Sequence, residues 1–290
     1  MKKVLFACLF SSLVTGSLFA GNSNKVIYGD DNRVDYYAST NTLFRDYALA
    51  TAAQVPIGNI SKAPNGMVKV SADNLRQAMN VCSSERFAEQ VAAANCSGFI
   101  VAPDVLITAG HCVTDMSDCS GYSWVFDYRL PDPSVVADPT IYVPDSSVYK
   151  CTEIIGRKLE GDYDYAVLRL DRNVTDRAPL SFRRSGELSK GTPLVVIGHP
   201  SGLPTKISDG AVVRAATNPG YFVTNLDTYG GNSGSAVINV ENGEVEGILV
   251  RGDTDYVYAS GRYCMISKRC TDDGCRGEDV TRITVIPEIK

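Results

Sequence analysis

Short runs of residues that alternate apolar and polar, or are apolar throughout, recur along this chain between Pro, Gly and Asp, and no other feature restricts the fold as much. A first set occupies residues 97–101, 105–108, 122–128, 148–155 and 165–170. A second occupies 193–197, 206–214, 221–226, 235–239, 245–251 and 261–266. Runs this short at this spacing predict an all-β barrel or sandwich. Pro131, Pro133, Pro139 and Pro144 mark a surface loop within the first set, and residues 176–191 separate the two sets. Residues 41–95 read differently: an alanine-rich stretch is followed by Ser83 and Ser84 before a helical pattern over 85–91. That pattern predicts an elaboration packed on the first set of strands. A chain of 290 residues is long enough to bury a substantial core.

The amino terminus predicts export. Met1-Lys2-Lys3 followed by the apolar residues 4–20 has the charge, length and small-residue exit of a signal peptide cut near Ala20. Ser11, Ser12 and Gly16 interrupt it, so no membrane span is expected. Nine cysteines less Cys8 of the leader leave an even set, suited to disulfides in an oxidising compartment, although sequence alone does not choose the pairing. Cys264, Cys270 and Cys275 lack a nearby histidine and a C-x-x-C spacing, so disulfides are expected there rather than zinc. A formal charge of −5 carries no basic excess for nucleic acid. The expectation is a secreted or periplasmic protein with no nucleic-acid partner; its oligomeric state stays open.

Chemistry concentrates in Asp227-Thr228-Tyr229-Gly230-Gly231-Asn232-Ser233-Gly234-Ser235, where a serine sits between glycines before an apolar run. Serine is a nucleophile only when a base removes its proton and donors bind the charge that its attack creates. Glycines permit the tight backbone that aims the N–H groups of Gly231 and Ser233 at one oxyanion. Only two histidines exist, His111 and His199. His111 ends a β-branched strand in Thr108-Ala109-Gly110-His111-Cys112, whereas His199 lies in a Pro/Gly turn and reads as structural. Asp164 opens the apolar strand Asp164-Tyr165-Ala166-Val167-Leu168, and Asp162, two residues earlier on the same face, is its competitor.

These three blocks, in the order His111, Asp164, Ser233, resemble the trypsin/chymotrypsin-like serine peptidases, and more closely the bacterial branch that includes the glutamyl endopeptidases. A lipase elbow is missing, since Gly231-Asn232-Ser233-Gly234-Ser235 ends in serine where glycine is required. The resemblance runs over roughly residues 26–265. It implies two six-stranded Greek-key barrels with the site in the cleft between them, and a Cys96–Cys112 bridge holding the histidine. It selects Asp164 over Asp162 as the acid, with His111 as base and Ser233 as nucleophile, and it implies neither cofactor nor metal. For specificity, Asp227 lies six residues before Ser233, where trypsin-like members carry the pocket acid, which implies cleavage after Arg or Lys. The glutamyl branch instead carries a histidine at the position of Leu249; Arg251, beside Gly252 at the pocket rim, keeps an acidic preference open. Val26-Ile27 resembles the mature start of the glutamyl enzymes, which implies a zymogen cut after Lys25. An edge strand is the plainer reading of that segment.

The chain accordingly divides into a signal peptide over 1–20, a propeptide over 21–25, and one peptidase domain over 26–290. Within that domain the first barrel is expected over about 26–175, the second over about 190–268 and a cysteine-containing extension over 269–290. A protein or peptide substrate is expected. The rivals are a protease-like module that binds without cutting and an adhesive surface protein.

Overall fold

The computed structural model describes residues 26–134 and 140–290. The expected leader over 1–20, the propeptide over 21–25 and Pro139 lie outside the described residues.

Seven strands build the first barrel: β1 (Thr51–Pro56), β2 (Cys96–Ala102), β3 (Val105–Thr108), β4 (Tyr122–Phe126), β5 (Val148–Tyr149), β6 (Cys151–Glu160) and β7 (Tyr163–Leu170). They pair in the order β5-β4-β1-β2-β3-β7-β6. The two outer strands, β5 and β6, follow each other in sequence across Lys150 but do not pair, so this curled sheet is an open half-barrel. Long apolar side chains explain the curl: Phe99, Ile107, Trp124, Phe126 and Val167 are buried in one cluster with Val195, Ile197 and Ile248 of the second barrel. Burying each such side chain stabilises by roughly 1.5–3 kcal/mol. A single core therefore runs across the joint.

The second barrel consists of β8 (Pro193–Gly198), β9 (Lys206–Ala215), β10 (Tyr221–Thr224), β11 (Ala236–Asn239), β12 (Val245–Arg251) and β13 (Glu278–Arg282). It closes completely, in the order β8-β11-β12-β13-β10-β9 and back to β8. Here the structure corrects two expectations. The sixth strand is β13, inside the supposed extension, while Tyr256–Tyr258 and Met265–Ser267 form a separate hairpin around residues 261–266. The sequence Glu-Asp-Val-Thr-Arg hides a strand because its side chains are polar yet buried on folding, with Glu278, Asp279 and Thr281 all at most 2% exposed. The range assigned to the first barrel is also too wide at its start, since Arg33–Asp35 pairs with β9 of the second.

Residues 41–95 form less helix than their pattern suggests. The helices are Thr42–Leu49, whose N-cap Asn41 accepts from the Leu43 and Phe44 amides, and Leu75–Met79, capped reciprocally by Asn74 and Gln77. Residues 83–91 make turns instead, with Phe87 at φ +65°, a left-handed conformation that ends any helix. The alanine-rich stretch contributes β1, the strand between β2 and β4, because Ala52 and Ala53 fit a fully buried sheet. Four disulfides are formed: Cys82–Cys264, Cys96–Cys112, Cys119–Cys151 and Cys270–Cys275. Among the described residues no helix is long and apolar enough to cross a membrane.

Candidate active site

His111 sits on the turn after β3, pressed against the β6–β7 hairpin. Gly110 permits that approach, since a Cβ there would lie 2.5 Å from the Lys158 carbonyl oxygen and 2.8 Å from that of Tyr165. The Gly110 carbonyl is held in turn by Arg157 Nε at 2.7 Å. At the start of β7, Asp164 grips the histidine twice. Its Oδ1 accepts the His111 backbone N–H at 3.0 Å and its Oδ2 lies 2.8 Å from Nδ1. A carboxylate accepts and does not donate, so Nδ1 carries the proton and the neutral ring offers Nε2 as acceptor. Asp164 is buried, whereas Asp162 is exposed on the preceding turn and bonds to Asn218, so the two candidate acids are separated by geometry.

Ser233 lies on the loop before β11 and is tied to the histidine turn through the backbone. Its carbonyl oxygen accepts the Ser97 N–H at 2.8 Å and lies 3.7 Å from Cys112 Sγ. Cys112 follows His111 directly, and its bridge to Cys96 fixes both sides of this junction. Ser233 Oγ is buried and bonds to no described residue, His111 included.

The loop orients two amides. Gly230 O accepts from Ser201 N–H at 2.5 Å, Gly231 O from Ser97 Oγ at 2.8 Å, and Asn232 O from Ser235 N–H at 2.9 Å. Each trans peptide sets its N–H opposite the preceding carbonyl, so the N–H groups of Gly231 and Ser233 face away from these anchors. Neither donates a hydrogen bond among the described residues, which is uncommon for interior backbone and leaves two donors for a ligand. Gly231 adopts φ +90°, where a Cβ would lie 2.5 Å from the His199 carbonyl oxygen. His199 supports the loop from below: its Nδ1 lies 3.1 Å from Ser97 Oγ and its Nε2 lies 3.2 Å from Thr205 Oγ1. Complete burial, aided by Lys206, pushes this imidazole down to about 3, so it stays neutral and structural.

A family model for the trypsin-like peptidase domain matches residues 96–248. The chain belongs to the trypsin-like peptidase family. The matched span contains His111, Asp164 and Ser233 and stops before Gly252 and β13. A probable serine protease of Lysobacter enzymogenes is similar, at 25% identity over 195 residues that cover 60% of this chain and 30% of that protein. The chain thus spans about 30% of the length of the curated relative it matches. Among solved structures, a Glu endopeptidase in complex with MPD aligns at 20% identity and a TM-score of 0.49, over 90% of this chain and 96% of that one. A serine endoprotease from Yersinia pestis aligns at 14% identity and a TM-score of 0.47, over 86% of this chain and 64% of that one.

The residues expected to set specificity occupy unexpected positions. Asp227 is not open to a ligand: Oδ1 accepts the Tyr28 N–H at 2.7 Å and Oδ2 the Asn32 N–H at 2.8 Å. Burial pushes its carboxyl up to about 7, against the pull of those two amides. Arg251 turns toward Asp279, with Nε 2.8 Å from Oδ2. Gly252 lies against the carboxylate of Glu278, which sequence reasoning missed. Ser97 was missed as well; its only signal was its place beside Cys96. The grouping of Cys96, His111 and Cys112 is no metal centre, because both sulfurs are spent in their disulfide.

Proposed function

We propose that this chain is an exported serine endopeptidase that hydrolyses peptide bonds through an acyl-enzyme. The observation that carries the reading is the double grip of Asp164 on His111, which fixes the ring's position and its tautomer together. Ser233 Oγ attacks the substrate carbonyl carbon as His111 Nε2 takes its proton. The amides of Gly231 and Ser233 receive the oxyanion, and His111 then protonates the leaving amine. Water, deprotonated by the same nitrogen, releases the acyl group. Productive chemistry needs Ser233 Oγ within roughly 2.6–3.2 Å of Nε2, so a rotation of this unbonded hydroxyl precedes attack.

Export through residues 1–20 and a cut before Val26 complete the proposal, and Edman sequencing of protein recovered outside the cytoplasm tests both. A glutamyl preference gains no support from Arg251, whose guanidinium is paired with Asp279. The primary test is hydrolysis of unfolded protein and labelling by a fluorophosphonate. Ser233→Ala is expected to abolish both while the thermal transition stays in place; undiminished turnover in that variant would end the hypothesis.

One observation favours a second reading. Ser233 Oγ is closed off and bonded to no described residue, as expected of a protease-like module that only binds. Wild-type protein that refuses the fluorophosphonate would make that module the better account.

A further inference from the structure

The β6–β7 hairpin that supports the histidine turn is irregular at one point. Ile154 opposes Leu168 while Gly156 opposes Val167, so β6 carries one residue more than β7 there, Ile155. A bulge of this kind shifts the pairing by one position and turns every later side chain to the other face. Beyond it, Arg157 opposes Ala166 and Leu159 opposes Asp164. Opposed residues share a face, and so do residues two apart along a strand. Arg157 therefore stands on the same face as Asp164. Without the bulge it would oppose Tyr165 and point the other way.

Arg157 and Asp164 are diagonal neighbours on that face, and they hold one peptide unit between them, Gly110–His111. Arg157 Nε donates to the Gly110 carbonyl oxygen at 2.7 Å, while Asp164 Oδ1 accepts the His111 N–H at 3.0 Å. The carbonyl and the N–H of a trans peptide lie on opposite sides of one rigid plane. A cation at one end and an anion at the other therefore fix both the position of the plane and its rotation. Each bond has a charged partner, which makes it shorter and stronger than a neutral one. Asp164 alone meets only the histidine side of this unit, through the N–H and through Nδ1 at 2.8 Å. Arg157 makes no ion pair and no other hydrogen bond among the described residues. Asp115 is near enough to feel its charge, yet that carboxylate bonds to Ser117 instead.

We propose that Arg157 is a positioning residue for the general base: through the Gly110 carbonyl it holds the His111 turn in line with Asp164 and Ser233. The role rests on the peptidase reading above and extends it to a residue outside the triad and the oxyanion loop. Attack by a serine hydroxyl depends on the placement of the imidazole, and a shift of about 1 Å lowers the rate by roughly 100-fold. Without the guanidinium, the Gly110 carbonyl is free to swing toward water, and the His111 N–H on the same plane swings with it. An arginine that served only the stability of the hairpin would behave differently. Its loss would lower the melting temperature and leave the turnover of the folded fraction unchanged.

The test uses the full chain. Arg157→Met keeps the apolar stem without a donor, Arg157→Lys keeps a cation that donates, and Arg157→Ala leaves room for free guanidinium ion supplied in the buffer. In Arg157→Met, kcat on a peptide substrate is expected to fall roughly 10- to 100-fold with KM within about twofold of wild type. Fluorophosphonate labelling is expected to slow in proportion. Arg157→Lys should recover part of that loss, and guanidinium, at a concentration that leaves wild type unaffected, should recover part of the loss in Arg157→Ala. The low-field proton NMR resonance of His111 Nδ1–H, read without substrate, is expected to broaden or shift in Arg157→Met and to return in Arg157→Lys. Turnover of folded Arg157→Met equal to that of wild type overturns the role and leaves the peptidase reading standing. So does a loss that neither lysine nor guanidinium relieves while the resonance stays in place. Wild type that is neither labelled nor active overturns the peptidase reading, and this role with it.

Discussion

Ser97 joins the reacting loop to its supports. Its N–H holds Ser233, its Oγ–H holds the Gly231 carbonyl, and the same oxygen accepts the His199 N–H at 3.0 Å. Ser97→Ala keeps only the first. The peptide that carries one oxyanion donor then loses an anchor, so kcat is expected to fall about 10- to 100-fold with KM little changed; steady-state kinetics on a good peptide substrate checks this. Asp227 allows a pH experiment. Its folded pKa lies above the unfolded value, so the stability it confers is complete below about pH 4 and is lost as pH rises through about 7. The wild type is therefore expected to lose roughly 2–4 kcal/mol relative to Asp227→Asn across that window, read as the difference in melting temperature between the two at each pH. His111, Asp164 and Ser233 were legible because each stands in a compact block whose neighbours already signal a strand end. Ser97 and Arg157 were not, because what each does depends on residues far away in the chain, Gly231 for the first and Gly110 for the second.

Elements were legible where hydropathy follows burial. β2, β3, β7, β8, β11 and β12 follow apolar runs, and their register follows from which face is buried. β1 and β13 escaped for opposite reasons, one built of helix-favouring alanines and the other of charged residues whose partners arrive only on folding. At this scale Gly110 is the sensitive point, since it lets the β3 turn reach the β6–β7 hairpin. A methyl group there meets two backbone carbonyls, which cannot step aside as a side chain would. Gly110→Ala is expected to cost about 1–3 kcal/mol and to pull His111 off Asp164. The check is denaturant unfolding alongside kcat, with the activity loss exceeding what the unfolded fraction explains.

Across the whole molecule, the segment before the first barrel belongs to the second. Val26, Ile27 and Tyr28 are buried, Ile27–Tyr28 pairs in parallel with Arg269–Cys270, and Asp35 joins Lys206 at 2.6 Å in a nearly dry pair capped by Gln90. Lys206→Met leaves Asp35 uncompensated and is expected to destabilise by about 3–5 kcal/mol, more than the pair is worth intact. Adding Asp35→Leu should recover part of that loss, measurable by a double-mutant cycle. The Cys82–Cys264 bridge spans 182 positions and encloses His111, Asp164 and Ser233 within one covalent loop. A cut in any surface turn inside that loop would open the ring without releasing a fragment. Such a molecule would keep its full mass on a gel run without reductant and fall into two pieces only when thiol is added. For an enzyme that lives among its own kind, self-cleavage would leave a scar rather than a severed chain.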